Sequence, residues 1–212
     1  VGKNGAVKAS TVKCLLGIIR CEKGEILLDG KSVLKAPTDC KKKMAYVPDN
    51  PILDEYMTGI QYLNFIGNVY GVPVRERKQA IETLASTFQM EQHLNSLISS
   101  YSHGMKQKLA LIAAFSHTPK LLILDEPFVG LDPEAFVILK EQMKKLCASG
   151  SSILFSSHIL DVVEKVCNKV SLIKQGHLLY SGLTSGIVGA KGLEEVFMEM
   201  NGDEKSTISA EK

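Results

Sequence analysis

Residues 101–133, from Tyr101 to Pro133, read YSHGMKQKLALIAAFSHTPKLLILDEPFVGLDP, and the reading of the whole chain turns on them. Their clearest part is Leu121 to Leu124, four branched apolar residues in a row, followed at once by Asp125, Glu126 and Pro127. A short continuous apolar run fits a strand buried on both faces, as in the middle of a parallel sheet. Two adjacent carboxylates at its end are too costly to bury for packing alone. In open α/β sheets ligands bind at the carboxyl ends of strands. A strand that merely exits into a solvated acidic turn is the plainer alternative, and the flanking segments weigh against it.

Before the strand, Ser102 is placed to N-cap a helix carrying Leu109, Ile112 and Phe115, with His103 and Gly104 at its mouth. A serine and a glycine there make an anion site as well as a cap. Pro119 ends that helix. After the strand, Gly130-Leu131-Asp132-Pro133 is a tight turn into a helix with Phe136, Leu139, Met143 and Leu146 inward, stopped at Gly150. Ser152 to Ser157 reads as another buried strand and ends in His158. A lone histidine is usually structural, but one at the end of a strand parallel to the acidic one is a candidate for chemistry.

Toward the N-terminus, Gly2 to Gly17 read GKNGAVKASTVKCLLG, close to GxxxxGK[ST]. In that pattern backbone N–H groups at a helix start cradle phosphates and a lysine reaches the terminal ones. Gly2, Asn4, Gly5 and Lys8 stand where the pattern wants them. Val7 replaces the glycine before the lysine, and Ala9 replaces the hydroxyl that ligates magnesium. Ser10 comes one residue late, about 100° round the helix. A glycine-rich turn opening an amphipathic helix of Val12, Leu15, Leu16 and Ile19 is the alternative. The chain starts directly on this loop, so the expected fold lacks the strands that normally precede it.

Between these landmarks, Glu25 to Val33 carries an Asp-Gly hairpin signal and Met44 to Val47 a short strand. The loop Pro48-Asp49-Asn50-Pro51 follows. Asp49 is placed to reach a ligand or metal, or simply to form the turn. From Thr58 to about Ser99 the spacing is helical: Leu63, Ile66 and Val69 share one face, Gly71-Val72-Pro73 breaks the chain, and Ile81, Leu84 and Phe88 continue. This block reads as a helical lobe inserted between strands. Past His158 come a short helix (Leu160, Val163, Val166), a strand from Val170 to Ile173, a Gln175-Gly176 turn and a last strand. From Gly202 the tail is polar, and disorder is expected there.

Composition bounds the function classes. Of 212 residues, 45% are hydrophobic and 23% charged, which is globular, and no apolar run approaches bilayer length. A net charge of +2 gives no argument for nucleic acid. The 5 cysteines are odd in number and without CxxC spacing, as in reduced thiols of a cytosolic protein.

Taken in order, these features resemble the nucleotide-binding domain of an ATP-binding cassette (ABC) transporter, over residues 1 to about 200. YSHGMKQ resembles the family signature, LLILDEP the Walker B strand, GLDP the D-loop and SSH the switch-histidine motif. GKNGAVKAST stands at the Walker A position and YVPD at the Q-loop position. The wording YVPDNP, YSHGMKQK and GLEEVFMEM is most similar to bacterial ABC-2 type exporter ATPases. His103 stands for a glycine of the signature, and Asp49 for the Q-loop glutamine.

The resemblance implies a P-loop NTPase α/β fold: a mostly parallel core, an antiparallel subdomain and a helical lobe at about 58–120. The ABC domain would span 1–201, with a tail at 202–212. It implies that Gly2, Asn4, Gly5, Ala6, Lys8, Ala9 and Ser10 cradle ATP, that Asp125 holds Mg²⁺ with Asp49 near it, and that Glu126 is the general base with His158 positioning the water. Ser102 and Gly104 would cap the ATP of a second cassette docked head to tail, with Asp132 coupling the sites. Partners would be that cassette and an integral-membrane permease at the inner face of the cell membrane. A degenerate cassette in an asymmetric pair is the alternative, motivated by Val7 and Ala9. A soluble cassette ATPase of translation or repair would need two fused cassettes.

Overall fold

The computed structural model describes residues 5–188 and 192–202. The chain divides into two compact units, Lys13–Phe155 and Val1–Val12 with Ser156–Lys212. Helix α1 (Gly5–Leu15) bridges that division in sequence and stops at Gly17, whose φ of 65° takes the left-handed turn. Val12 and Leu16 are buried. Ile19, expected on the same face, lies beyond the helix end and is 43% exposed.

In the larger unit, β1 (Leu27–Leu28) and β2 (Lys31–Ser32) form an antiparallel hairpin. Asp29 (φ 50°) and Gly30 (φ 74°) are both left-handed, the two-residue turn that Asp-Gly favours. Helix α2 (Pro37–Lys41) has proline in its first turn. Its Cys40 joins Val33 and Met44 in a small core under Ile26, Leu28 and Leu121. Strand β3 (Met44–Val47) then pairs in parallel with β4 (Leu121–Asp125), in register from Met44↔Leu121 to Val47↔Leu124. β5 (Ser152–Ser156) completes the order β3-β4-β5. Leu122, Ile123 and Leu124 are fully buried, as a central strand requires.

The 152–157 stretch differs from its expectation as a buried strand. β5 takes an edge of this sheet, alternates between exposed and half-buried positions, and leaves Leu154 43% exposed. An apolar run at an edge lacks a neighbouring strand on one side, which periodicity alone does not reveal.

The segment between β3 and β4 is helical: α3 (Gly59–Val69), α4 (Val74–Thr87), 3₁₀ turns at Glu91–His93 and Ile98–Ser100, and α5 (His103–Ser116). A capping box starts α3: the Thr58 side chain accepts from the Gln61 N–H, and Gln61 returns the bond to the Thr58 N–H. The buried face of α3 is Gly59, Leu63 and Gly67, four residues apart each time. Val69 falls off that face and is 59% exposed, contrary to the spacing argument that put it with Leu63. Gly67 belongs to the face because Arg77 of α4 crosses it, donating through Nη1 to the Asn64 carbonyl (3.0 Å) and to Asn68 Oδ1. α5 packs against α3, α4 and β3, which explains why it is buried from Leu109 to Ser116. Helix α6 (Pro133–Ala148) follows β4 with Leu139, Met143 and Leu146 inward, and Gly150 (φ 91°) turns the chain after it.

In the smaller unit, α7 (Leu160–Val166) precedes the antiparallel pair β6 (Lys169–Lys174) and β7 (His177–Leu183), turned at Gln175 (φ 48°) and Gly176 (φ 86°). α8 (Thr184–Val188) and α9 (Leu193–Gly202) close it. Glu164 Oε2 accepts the Leu193 N–H at 2.7 Å and so caps α9. The tail beyond Gly202 lies outside the described residues. No described helix is long and apolar enough to cross a membrane.

A Cβ on Gly67 would overlap Arg77 Cδ, and that guanidinium is fixed by its bonds to α3. Gly67→Ala should therefore destabilise the larger unit by about 1–3 kcal/mol, the usual cost of overpacking. Urea unfolding measures this; an unchanged midpoint would show that Arg77 can swing away freely.

Candidate active site

The site begins with the register of β3 on β4. Because Val47 lies opposite Leu124, the chain leaves both strands at the same end. Asp125 ends β4, Glu126 follows it, and Asp49 lies two residues past Val47. Asp125 and Glu126 are half-buried and Asp49 is exposed. Tyr46 lies within the field of Asp125 and Asp49. Its hydroxyl pKa is raised first by burial and then by the negative charges of Asp125 and Asp49. Two carboxylates from adjacent strand ends therefore act on one tyrosine.

Glu126 is held at φ 46°, a left-handed conformation that costs a non-glycine residue about 1–2 kcal/mol. The turn is closed by the Val129 N–H, which donates to the Glu126 carbonyl at 3.1 Å. Phe128 anchors it from below, buried against Phe136 (ring centroids 4.7 Å) and edge-on to Phe155 (5.7 Å). Burying each of Leu122, Ile123 and Leu124 contributes about 1.5–3 kcal/mol, so the packed strand outweighs the strain at its end. Strain persists where surrounding structure over-determines it, and such places cluster at functional sites.

Among the described residues no three His, Cys, Asp or Glu side chains gather to form a metal cage. Magnesium in nucleotide sites takes one or two carboxylates and fills its remaining positions with water and phosphate oxygens. Asp125, with Asp49 across the strand end, fits that requirement.

A second group of residues meets at the start of α5. Ser102 Oγ accepts the Met105 N–H at 3.3 Å as N-cap. The next turn of chain rests on Gly130: a Cβ on Gly104 would come 3.2 Å from the Gly130 carbonyl oxygen, and a Cβ on Gly130 would come 2.9 Å from the His103 ring. The histidine that stands for a glycine is thus accommodated by Gly130 itself. Asp132 caps α6, its Oδ1 accepting the Ala135 N–H at 2.8 Å, and its Oδ2 pairs with Lys108 Nζ at 2.9 Å. The Ala135 N–H first, and Lys108 after it, hold the Asp132 carboxyl below the usual carboxylate range. Ser102, Gly104 and Asp132 are therefore parts of one packed surface. Gly130, read from the sequence as opening the tight turn, and Lys108, which sequence reasoning did not single out, hold it together. Their signals are a glycine with φ 77° and a lysine one and a half turns past the cap.

Lys8 and His158 belong to the smaller unit. Gly5, Ala6, Lys8, Ala9 and Ser10 lie on the first two turns of α1, which has no acidic residue in its first turn; Ser10 is exposed. Gly2 and Asn4 lie outside the described residues. His158 follows Ser157, a buried serine whose Oγ accepts the Ile159 N–H at 3.1 Å and fixes the chain where it leaves β5.

Comparison with known proteins identifies the family and the fold. Residues 1–129 match the ABC transporter family model. The ABC-type transporter ATP-binding protein EcsA of Bacillus subtilis is 32% identical over 199 residues, which is 94% of this chain and 81% of EcsA. The ABC transporter ATP-binding protein NatA of the same organism is 30% identical over 197 residues, 92% of this chain and 80% of NatA. A solved ATP-binding subunit of an ABC transporter superposes with a TM-score of 0.91 at 32% identity, covering 95% of this chain and 86% of that one. The chain belongs to the ABC transporter family. Within it, this is an ATP-binding subunit with the P-loop NTPase α/β fold, of a family whose such subunits hydrolyse ATP.

Both Glu126→Gly and Glu126→Ala remove the carboxylate, but only glycine relieves the backbone. We expect Glu126→Gly to be more stable than Glu126→Ala by about 1 kcal/mol in denaturant titrations. Equal stability would mean that the turn relaxes to an ordinary φ.

Proposed function

We propose that this chain couples ATP binding and hydrolysis, at a head-to-tail pair of cassettes, to substrate export through an integral-membrane permease. The observation that carries the reading is the strand-end geometry: Asp125 and Glu126 leave β4 beside Asp49, with Glu126 held in a strained turn. A carboxylate carried on a fixed turn at the end of a buried strand suits a general base.

In this account Lys8 and the backbone of residues 4–10 bind the β- and γ-phosphates at the start of α1. Asp125, with Asp49 near it, would hold Mg²⁺, which supplies charge neutralisation across the phosphates when bound. Glu126 polarises a water and accepts its proton as the oxygen bonds to the γ-phosphorus, and ADP departs with the β-phosphate oxygen. His158 positions that water. Ser102 and the N–H groups at Gly104 cap the γ-phosphate bound by the second cassette, with Asp132 at the junction. Val7 stands where the phosphate-loop pattern has a glycine and Ala9 where it has the hydroxyl that ligates magnesium, so magnesium binding falls more heavily on Asp125.

Export is the direction favoured by YVPDNP and GLEEVFMEM, whose wording is like that of ABC-2 exporter ATPases. The permease contact is assigned to the helical lobe, with the chain peripheral on the inner membrane face. There, a cavity of about 230 Å³ is lined by residues including Tyr46, Pro51, Tyr62, Ile66, Tyr70 and His117. Ile52, also in its lining, is 95% exposed, and Tyr56 nearby is 94% exposed. Solvent-facing apolar side chains of that size suit a cytosolic segment of a membrane partner.

Glu126→Gln should lower ATP turnover by about 10²–10⁴-fold while leaving nucleotide affinity within a few-fold of wild type. Steady-state phosphate release and equilibrium binding of a fluorescent ATP analogue measure the two. Turnover unaffected by Glu126→Gln would remove the proposed base.

A further inference from the structure

One ion pair stands apart in sequence distance and in place. Lys106 Nζ lies 2.5 Å from Glu55 Oε1, joining residues 51 apart in the chain, and three-quarters of the Lys106 side chain is covered. Lys106 sits one turn into α5, its N–H donating to the Ser102 carbonyl at 3.0 Å. Glu55 sits on the loop that carries Ile52 and Tyr56. That loop is folded on itself: Asp54 Oδ1 accepts the Tyr56 N–H at 3.0 Å, and the Asp54 carbonyl accepts from Met57 at 3.2 Å.

The backbone runs the same way. The Ser99 N–H donates to the Glu55 carbonyl (3.3 Å), Ile98 to Met57 (2.9 Å) and Gly59 to Ser96 (3.3 Å), with a bridge between Thr58 and Leu97. Residues 96–99 lead through the Ile98–Ser100 turn and buried Tyr101 directly to Ser102. The loop at 52–57 is therefore zipped to the segment that enters α5, and the Glu55–Lys106 pair closes the zipper on the α5 side.

We infer that Glu55 and Lys106 are positioning residues: their ion pair makes the 52–57 loop and the N-terminus of α5 move as one body, so that displacement of the loop displaces Ser102 and Gly104. The inference rests on the proposed role of Ser102 and Gly104 toward a second cassette. Neither Glu55 nor Lys106 touches nucleotide in this account. The pair acts on the geometry of the cap, and through it on closure of the two cassettes. Without the pair the cap keeps its Met105 hydrogen bond but loses its side-chain link to the loop, so it reaches the closed geometry less often.

The test is ATP-dependent self-association of the full chain, followed by sedimentation velocity with MgATP in the Glu126→Gln background, where hydrolysis does not disperse the complex. Glu55→Lys and Lys106→Glu should each weaken association by about 3–10-fold, and the double exchange should restore most of it, since the pair is re-formed with its charges reversed. ATP binding to the isolated chain and the thermal midpoint should stay unchanged in all three. Ser102→Arg serves as reference and should abolish association. If Ser102→Arg abolishes association and the single exchanges leave it intact, the positioning role is wrong and the pairing of cassettes stands. Loss in both single variants without recovery in the double exchange also overturns it. If Ser102→Arg has no effect, or the parent chain does not associate, the two-cassette reading fails and this inference with it.

Discussion

Everything in the larger unit depends on one constraint, the parallel pairing of Met44–Val47 with Leu121–Leu124. A parallel pair brings the two carboxyl ends to the same edge, and a shift of one residue would turn every side chain to the other face. Leu122, Ile123 and Leu124 are fully buried, and a one-residue slip would either carry Asp125 into the place of Leu124 or move Leu124 to the half-buried strand end. With the register fixed, Asp125, Glu126 and Asp49 share an end, and Tyr46 lies within the field of two of them. The catalytic proposal follows from packing at this strand: apolar burial supplies the energy that holds a strained glutamate in place.

The second group, around Ser102, depends on small residues instead of large ones. Gly104 and Gly130 let two backbone segments approach to the point where a methyl group on either would crowd its neighbour. Lys108 and Asp132 then lock the turn of 130–133 to the helix that starts at Ser102. One segment, Tyr101–Pro133, thus carries two functional ends. Its strand end faces the nucleotide of its own chain in the proposed account, and its helix end faces that of a neighbour.

Much of this was legible in the sequence, for identifiable reasons. The β4 strand announced itself by four consecutive apolar residues, the hairpin by Asp29-Gly30, and the α5 cap by Ser102 before a run of buried positions. These are local signals with direct physical causes. What failed depended on neighbours. Val69 satisfies helical spacing yet faces solvent, because Gly67 and Arg77 set the packed face of α3. Leu154 belongs to an apolar run yet is exposed, because β5 takes an edge. In the site, Asp125, Glu126 and Ser102 could be picked out by type and place. Lys108 and Lys106 could not, since their importance lies in partners 24 and 51 residues away that no spacing rule connects.

The central claim is that each hydrolytic site is assembled from the strand end of one chain and the helix end of another. Complementation tests it directly. Glu126→Gln and Ser102→Arg chains should each be inactive alone, whereas an equimolar mixture should recover ATP turnover. A mixed pair contains one intact composite site out of two and a single Ser102→Arg junction, so random pairing sets an upper limit of about one quarter of wild-type activity, and the weakened pairing at that junction brings the recovered turnover below it. A mixture as inactive as its separate components would contradict the account, and would place Glu126 and Ser102 in service of the same chain's nucleotide.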